Sequence, residues 1–157
     1  MSEILSVLKQ DKRQRHHATS EIGERGERLA ARFLETNGYR LVLSNFKVPI
    51  GRNSRGVSVT GEIDIIALDG ETLCFVEVKT RTSSEFADPI ANVNKRKQRQ
   101  IIRAARIYKR VFGVTDVPHR FDVVSVIVEH PSPLVELTKD FWSEASFRKR
   151  AWSGDIY

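Results

Sequence analysis

Residues 61–81 read GEIDIIALDGETLCFVEVKTR, a strand, a turn and a second strand with charges set among apolar residues. In the first half Ile63, Ile65 and Ala67 alternate on one face, and Glu62, Asp64, Ile66 and Leu68 on the other. In the second half Cys74, Val76 and Val78 share one face, and Leu73, Phe75, Glu77 and Lys79 share the other. Asp69-Gly70 is a hairpin signal between the two runs. A four-residue loop, 69–72, sets Leu68 opposite Leu73, Asp64 opposite Glu77 and Glu62 opposite Lys79. A two-residue loop moves the partners by a step but keeps Asp64 and Glu77 on one face, whereas a three-residue loop separates them. Facing residues have Cβ atoms roughly 4.5–5.5 Å apart, close enough for two carboxylates to repel. A divalent metal ion is the simplest reason to place them there.

At 157 residues the chain has the length of one domain, and 40% hydrophobic residues suffice for a core. No apolar run reaches the roughly 18 residues that a membrane span needs. The first residues, MSEILSVLKQDKRQRHH, lack the pattern of a signal peptide. Cys74, the single cysteine, excludes an internal disulfide, fits a reducing cytoplasm and reads as a small core residue. The formal net charge of +6 favours a polyanionic partner.

Residues 1–19 read as a mobile basic arm or a marginal short helix, with His16 and His17 solvated rather than ligating. Thr19 or Ser20 is placed to cap a helix running to Asn37, with Gly38 as its stop. Ile22, Gly26, Leu29, Ala30, Phe33 and Leu34 form its apolar stripe, and Glu24 and Arg28 are spaced to pair. Glu27 lies in line with Ala30 and Leu34, where a carboxylate needs a cation or a donor, unless it reaches solvent at the margin. Gly23 and Gly26 on this side predict the close passage of another backbone.

Residues 39–48 predict a strand, and PIGRNSRG, 49–56, a basic loop with Arg52 and Arg55 at its tip. Beyond the central hairpin a helix is expected from Asn92 or Asn94 to Gly113, its inner face built from Ile101, Ala104, Ala105, Tyr108, Val111 and Phe112. Between 95 and 110 it carries Lys95, Arg96, Lys97, Arg99, Arg103, Arg106, Lys109 and Arg110 without an acid. Such an unbalanced run favours contact with phosphates. RFDVVSVIV, 120–128, predicts a buried strand, reached by a crossover that makes it parallel to the Glu77 strand. Phe141, Trp142, Phe147 and Trp152 are expected to pack a short terminal helix on the body. The order helix, three strands, helix, strand predicts an α/β fold of three α/β/α layers with a central mixed sheet.

Asp64 followed by Glu77-Val78-Lys79 resembles the PD-(D/E)XK nuclease signature. GERGERLAARFLETNGY, the central stretch, NKRKQRQIIRAARIY and RFDVVSV together resemble the YraN family of bacterial proteins, relatives of Holliday junction resolvases. The likeness spans residues 20–128 as a nuclease-like domain, leaving the arm 1–19 and an extension, 129–157, outside it. It implies a restriction-endonuclease-like core and a site for Mg²⁺ or Mn²⁺ held by Asp64, Glu77, Glu27 and the Val78 backbone carbonyl. Lys79 would hold or deprotonate the attacking water, and Glu62, on the same face, would pair with Lys79. The proline of the signature is absent, and Ile63 precedes Asp64.

The resulting expectation is a Mg²⁺- or Mn²⁺-dependent endonuclease acting on DNA, branched or otherwise structured, in the cytoplasm and without a membrane partner. DNA ranks ahead of RNA, and analogy with junction resolvases suggests a homodimer. Lys95, Lys97, Arg99, Arg103, Arg52 and Arg55 are the expected nucleic-acid contacts. Two other readings compete: a nucleic-acid-binding module of the same fold without turnover, and a protein-interaction subunit docking through its basic helix.

Overall fold

The computed structural model describes residues 2–83, 93–129 and 131–148, with residues 2–18 given by backbone path alone. Its elements run α1 (Ser2–Thr36), β1 (Arg40–Arg52), β2 (Ser58–Asp69), β3 (Thr72–Arg81), α2 (Lys95–Val111), β4 (His119–Ile127) and β5 (Leu134–Trp142), then a short 3₁₀ turn, Glu144–Phe147. The five strands form one sheet in the order β1-β2-β3-β4-β5. Only the β3–β4 pair is parallel, as the crossover through α2 demands. The expected α/β class, with its mixed sheet, is therefore observed.

Two separate apolar clusters make the layers. Ala30 and Leu34 of α1 pack with Tyr39, Ile65, Ala67, Cys74, Val76, Val124 and Val126 on one face. Ile101, Ile102, Ala104, Ala105 and Tyr108 of α2 pack with Ile63, Ile66, Phe75, Phe121 and Val123 on the other. Cys74 is fully buried, and that burial pushes its thiol up to about 12, so it serves as a small apolar side chain.

Several boundaries differ from expectation. The first helix is continuous from Ser2, so neither Thr19 nor Ser20 is its N-cap. Its end is as predicted: Gly38 takes a φ of +87°, and the Tyr39 N–H reaches back to the Leu34 carbonyl at 3.0 Å. Of the two glycines on α1, Gly26 makes a close approach, to a side chain rather than to the expected backbone. A Cβ there would collide with the Thr80 side chain, whereas Gly23 has open space around it.

Strand β1 runs through Pro49 to Arg52, where the sequence had suggested a loop. Val48 and Ile50 pack against the α2 cluster, and that burial keeps the segment extended. The connection shrinks to a turn at 53–57, in which Asn53 Oδ1 accepts the N–H groups of Arg55 and Val57 at 2.9 and 3.0 Å. Helix α2 is capped by Asn94, whose side chain accepts from the Lys97 N–H.

At the other end of α2, Val111 and Phe112 are exposed rather than inward, because the helix ends there, beyond the strands it covers. Ile102, not foreseen, is buried instead. The greatest difference is at the C-terminal side, where Phe141 and Trp142 belong to a fifth strand paired with β4, not to a helix. Phe147 lies in the short 3₁₀ turn against the α2 cluster, and Trp152 lies outside the described residues.

Candidate active site

Strands β2 and β3 pair from Asp69↔Thr72 back to Ile65↔Val76, with Leu68 opposite Leu73, and then part. Upstream of this point β2 pairs with β1, and downstream β3 pairs with β4. Asp64 and Glu77 are the first residues past the last pair. Parting strands leave backbone groups without ladder partners, and Asp64 fills one vacancy: its Oδ2 accepts the Val78 N–H at 2.8 Å.

The face alternation of β2 also changes here. Ile63 belongs with the α2 cluster alongside Ile66, while Ile65 and Ala67 face α1, so the expected grouping of Ile63 with Ile65 is overturned. Asp64 and Ile65 both line a cleft of about 240 Å³ beneath α1, together with Glu24, Glu27, Ser44 and Asn45. Asn45, at the matching point of β1 between Ser44↔Ile65 and Phe46↔Ile63, has a φ of +54°. Asparagine tolerates that left-handed geometry better than most residues.

Asp64 and Glu77 are both buried. Burial is the largest cause raising the Glu77 pKa, to about 8, and the negative Asp64 comes next; Lys97 and Lys79 oppose them. Asp64 is also raised by burial, with the Val78 N–H, a hydrogen bond with Glu77 and the Lys97 charge holding it back. Glu77 Oε1 lies 3.8 Å from Lys79 Nζ and 4.0 Å from Lys97 Nζ. Its other oxygen, Oε2, is buried with no hydrogen-bond partner. Glu27 is raised by burial first and by Asp64 second, while a hydrogen bond from Asn45 lowers it.

The sequence-predicted residues thus divide. Asp64, Glu77 and Lys79 come together, and Glu27 looks across the cleft at Asp64. Among the described residues no three carboxylate, histidine or cysteine groups close around a common point. Glu62 pairs with Lys47 at 3.6 Å, not with Lys79, because β2 at that level is joined to β1 and has left β3. His16 and His17 lie outside the described side chains.

Among the helix cations, Lys97 belongs to the acid pair, Arg106 to Glu144 at 2.9 Å, and Lys109 to the Val117 carbonyl at 2.7 Å. Lys95 and Arg99 lie over the Phe147 ring, 5.0 and 5.3 Å from its centroid. Lys97, expected to contact nucleic acid, stands instead beside Glu77, a place hidden by its run of like charges. Asn45 escaped the sequence reading, offering only the weak signal of an amide amid a strand.

The orphaned Glu77 oxygen beside a second carboxyl, both costly to ionise, describes a place short of positive charge. Oxygen donors of this kind suit a hard divalent cation. Asp64 and Glu77 could hold one, with Glu27 lining the same cleft as Asp64.

Fold and site together define a class: a three-layer α/β domain with a buried carboxylate pair and lysines where two strands part. The chain matches the Uncharacterised protein family UPF0102 over residues 26–126, and it belongs to that family. A UPF0102 protein of Chlorobium chlorochromatii is 42% identical over 135 residues, 82% of this chain and 96% of the relative. One from Chlorobium limicola is 42% identical over 113 residues, covering 72% and 80%. One from Geobacter sulfurreducens is 42% identical over 121 residues, covering 76% and 87%. No described helix is long and apolar enough to cross a membrane.

Proposed function

We propose that the chain is a divalent-metal-dependent nuclease of the PD-(D/E)XK superfamily, hydrolysing phosphodiester bonds in DNA, with branched or structured DNA as the favoured substrate. The observation that carries this reading is Glu77 Oε2, buried and unpartnered beside Asp64, with Lys79 within 4 Å of the same carboxylate. Mg²⁺ or Mn²⁺, bound by Asp64 and Glu77, with Glu27 and the Val78 carbonyl as further donors, would polarise the phosphate and acidify a water. Lys79, an ammonium beside Glu77, would orient that water, whose proton would pass to solvent as its oxygen attacks phosphorus. The bond from phosphorus to the 3′ oxygen would break, and that oxygen would take a proton from solvent water, leaving a 3′-hydroxyl and a 5′-phosphate. Lys97 supports this by offsetting the negative charge that gathers around Glu77.

The test measures cleavage of labelled branched and linear DNA in Mg²⁺ or Mn²⁺ by wild type, Asp64→Ala and Glu77→Ala. Both variants should lose cleavage while keeping most of their DNA affinity. Full cleavage by either one removes this site from the reaction.

A second reading, a nucleic-acid-binding module without turnover, draws support from Lys97. A lysine 4.0 Å from Glu77 already supplies positive charge where the cation would sit. DNA binding without cleavage across metals and substrate structures would favour it.

A further inference from the structure

On the α2 side of the sheet, away from the carboxylate pair, a cleft of about 190 Å³ lies between α2 and the far end of the β1–β2 hairpin. Arg52, Asn53, Arg96, Arg99, Gln100 and Arg103 line it, and none of its described lining residues is acidic. Arg96, Arg99 and Arg103 stand at i, i+3 and i+7, one stripe of the helix surface. Arg52 faces them because β1 continues past Pro49. Gly51, at a φ of +143° that other residues rarely adopt, supplies the irregularity that curls the strand end over α2. Arg52 Nη1 donates to the Gly56 carbonyl at 2.7 Å, which fixes its guanidinium at the mouth. Arg99 is steadied by the Phe147 ring.

Four guanidinium groups around one cleft repel one another, and an anion there offsets the repulsion. Guanidinium groups present rigid forks of N–H donors that fit phosphate oxygens two at a time. Successive arginines of the stripe are separated by a rise of roughly 4.5–6 Å along the helix, which suits a chain of repeated phosphates better than a single anion. Two elements, α2 and β2, link the cleft to the carboxylate site. Lys97, at Glu77, is on the same helix, roughly 9 Å in rise from Arg103. Along β2, Val59 in the cleft and Asp64 are about 16 Å apart.

We propose that this cleft grips the phosphodiester backbone of a nucleic-acid strand on the flank of the carboxylate site, roughly five duplex steps away. Arg55, at the hairpin tip, does not line the cleft and plays no part in this grip. The assignment of the strand as a substrate flank rests on the nuclease reading; the grip itself does not.

The experiment therefore uses the full chain in EDTA, where no metal-dependent turnover interferes. Fluorescence anisotropy would follow a 30-base-pair duplex and a single-stranded oligonucleotide, each in two unrelated sequences, from about 50 to 300 mM KCl. Arg52→Ala, Arg96→Ala and Arg103→Ala should each weaken binding several-fold on every sequence and lower the salt slope by about one. Arg32→Ala, exposed on α1, should leave both unchanged, and circular dichroism would verify the fold of each variant. Cleft variants with the wild-type slope and affinity, or an equal loss from Arg32→Ala, would overturn the proposal. So would cleft variants that keep nucleic-acid affinity but lose binding to poly-glutamate, since the groove would then serve an acidic protein. Cleavage by Glu77→Ala in Mn²⁺ bears on the nuclease reading alone, so the two ideas fail separately.

Discussion

Glu77 is where burial and charge pull hardest against each other. Its pKa in the fold, about 8, is above its ordinary 4.5 because burial and Asp64 both penalise its ionised form. A raised carboxyl means that the folded chain binds a proton the unfolded chain has lost between those values. Its contribution to stability is therefore complete below about pH 4.5 and disappears as pH climbs through 8. In EDTA, Tm should fall as pH rises from 5.5 to 8.5, and Glu77→Gln should flatten that fall. Mn²⁺ at pH 8.5 should restore wild-type Tm and leave Glu77→Gln unmoved, because a bound cation removes the penalty on the ionised pair. A second residue-scale prediction concerns Asp122, fully buried and accepting from Arg120 Nε at 2.7 Å, Arg120 Nη2 at 2.9 Å and the Asp140 N–H at 2.9 Å. Asp122→Ala leaves Arg120 only Asp69 and Tyr39 as partners and the Asp140 N–H without its acceptor, and should cost about 1–3 kcal/mol, a Tm loss of roughly 5 °C by thermal melt. At this scale the sequence revealed Asp64, Glu77 and Lys79, since their spacing along two strands is local. It placed Lys97 among the nucleic-acid contacts and concealed its approach to Glu77, because that partner is on another element and its neighbours carry the same charge.

The elements owe their placement to a few close approaches. Gly26 lets α1 settle onto Thr80 of β3, and so holds Glu27 over the cleft beside Asp64. Gly26→Val should cost about 1–3 kcal/mol by overpacking, and pairing it with Thr80→Ala should recover part of the loss in a denaturant titration. Gly61 does the same for α2: a Cβ there would lie 2.7 Å from Ile50 Cγ2 and 3.2 Å from the Gln100 carbonyl. The Gly38 stop of α1, the Asn94 cap of α2 and the central hairpin register were readable because capping residues and period-two alternation act within a few residues, whereas the start of α1 was not. The reach of β1 and the existence of β5 were not. Pro49 and Gly51 look like loop residues until Ile50 is buried against α2, and Leu134–Trp142 becomes a strand only because the β4 edge is there to pair with.

For the molecule as a whole, a net charge of +6 says less than where its cations are committed. Lys97 and Arg106 each stand beside a carboxylate, whereas Arg52, Arg96, Arg99 and Arg103 gather around one cleft with no acid among its described lining residues. With about four phosphate contacts, nucleic-acid affinity should drop roughly a hundredfold between 50 and 200 mM salt. A near-flat salt response in the same anisotropy titration would show that the cleft serves another partner. Local pattern alone determined the α/β order, the two carboxylates on one hairpin and the family, because alternation, capping and short spacings are written over a few adjacent residues. Only the folded chain decided that β2 and β3 part at Asp64, that Lys97 joins the pair, and that four arginines share one cleft. Those outcomes depend on strand twist, helix docking and burial between segments tens of residues apart, which no local window of sequence contains.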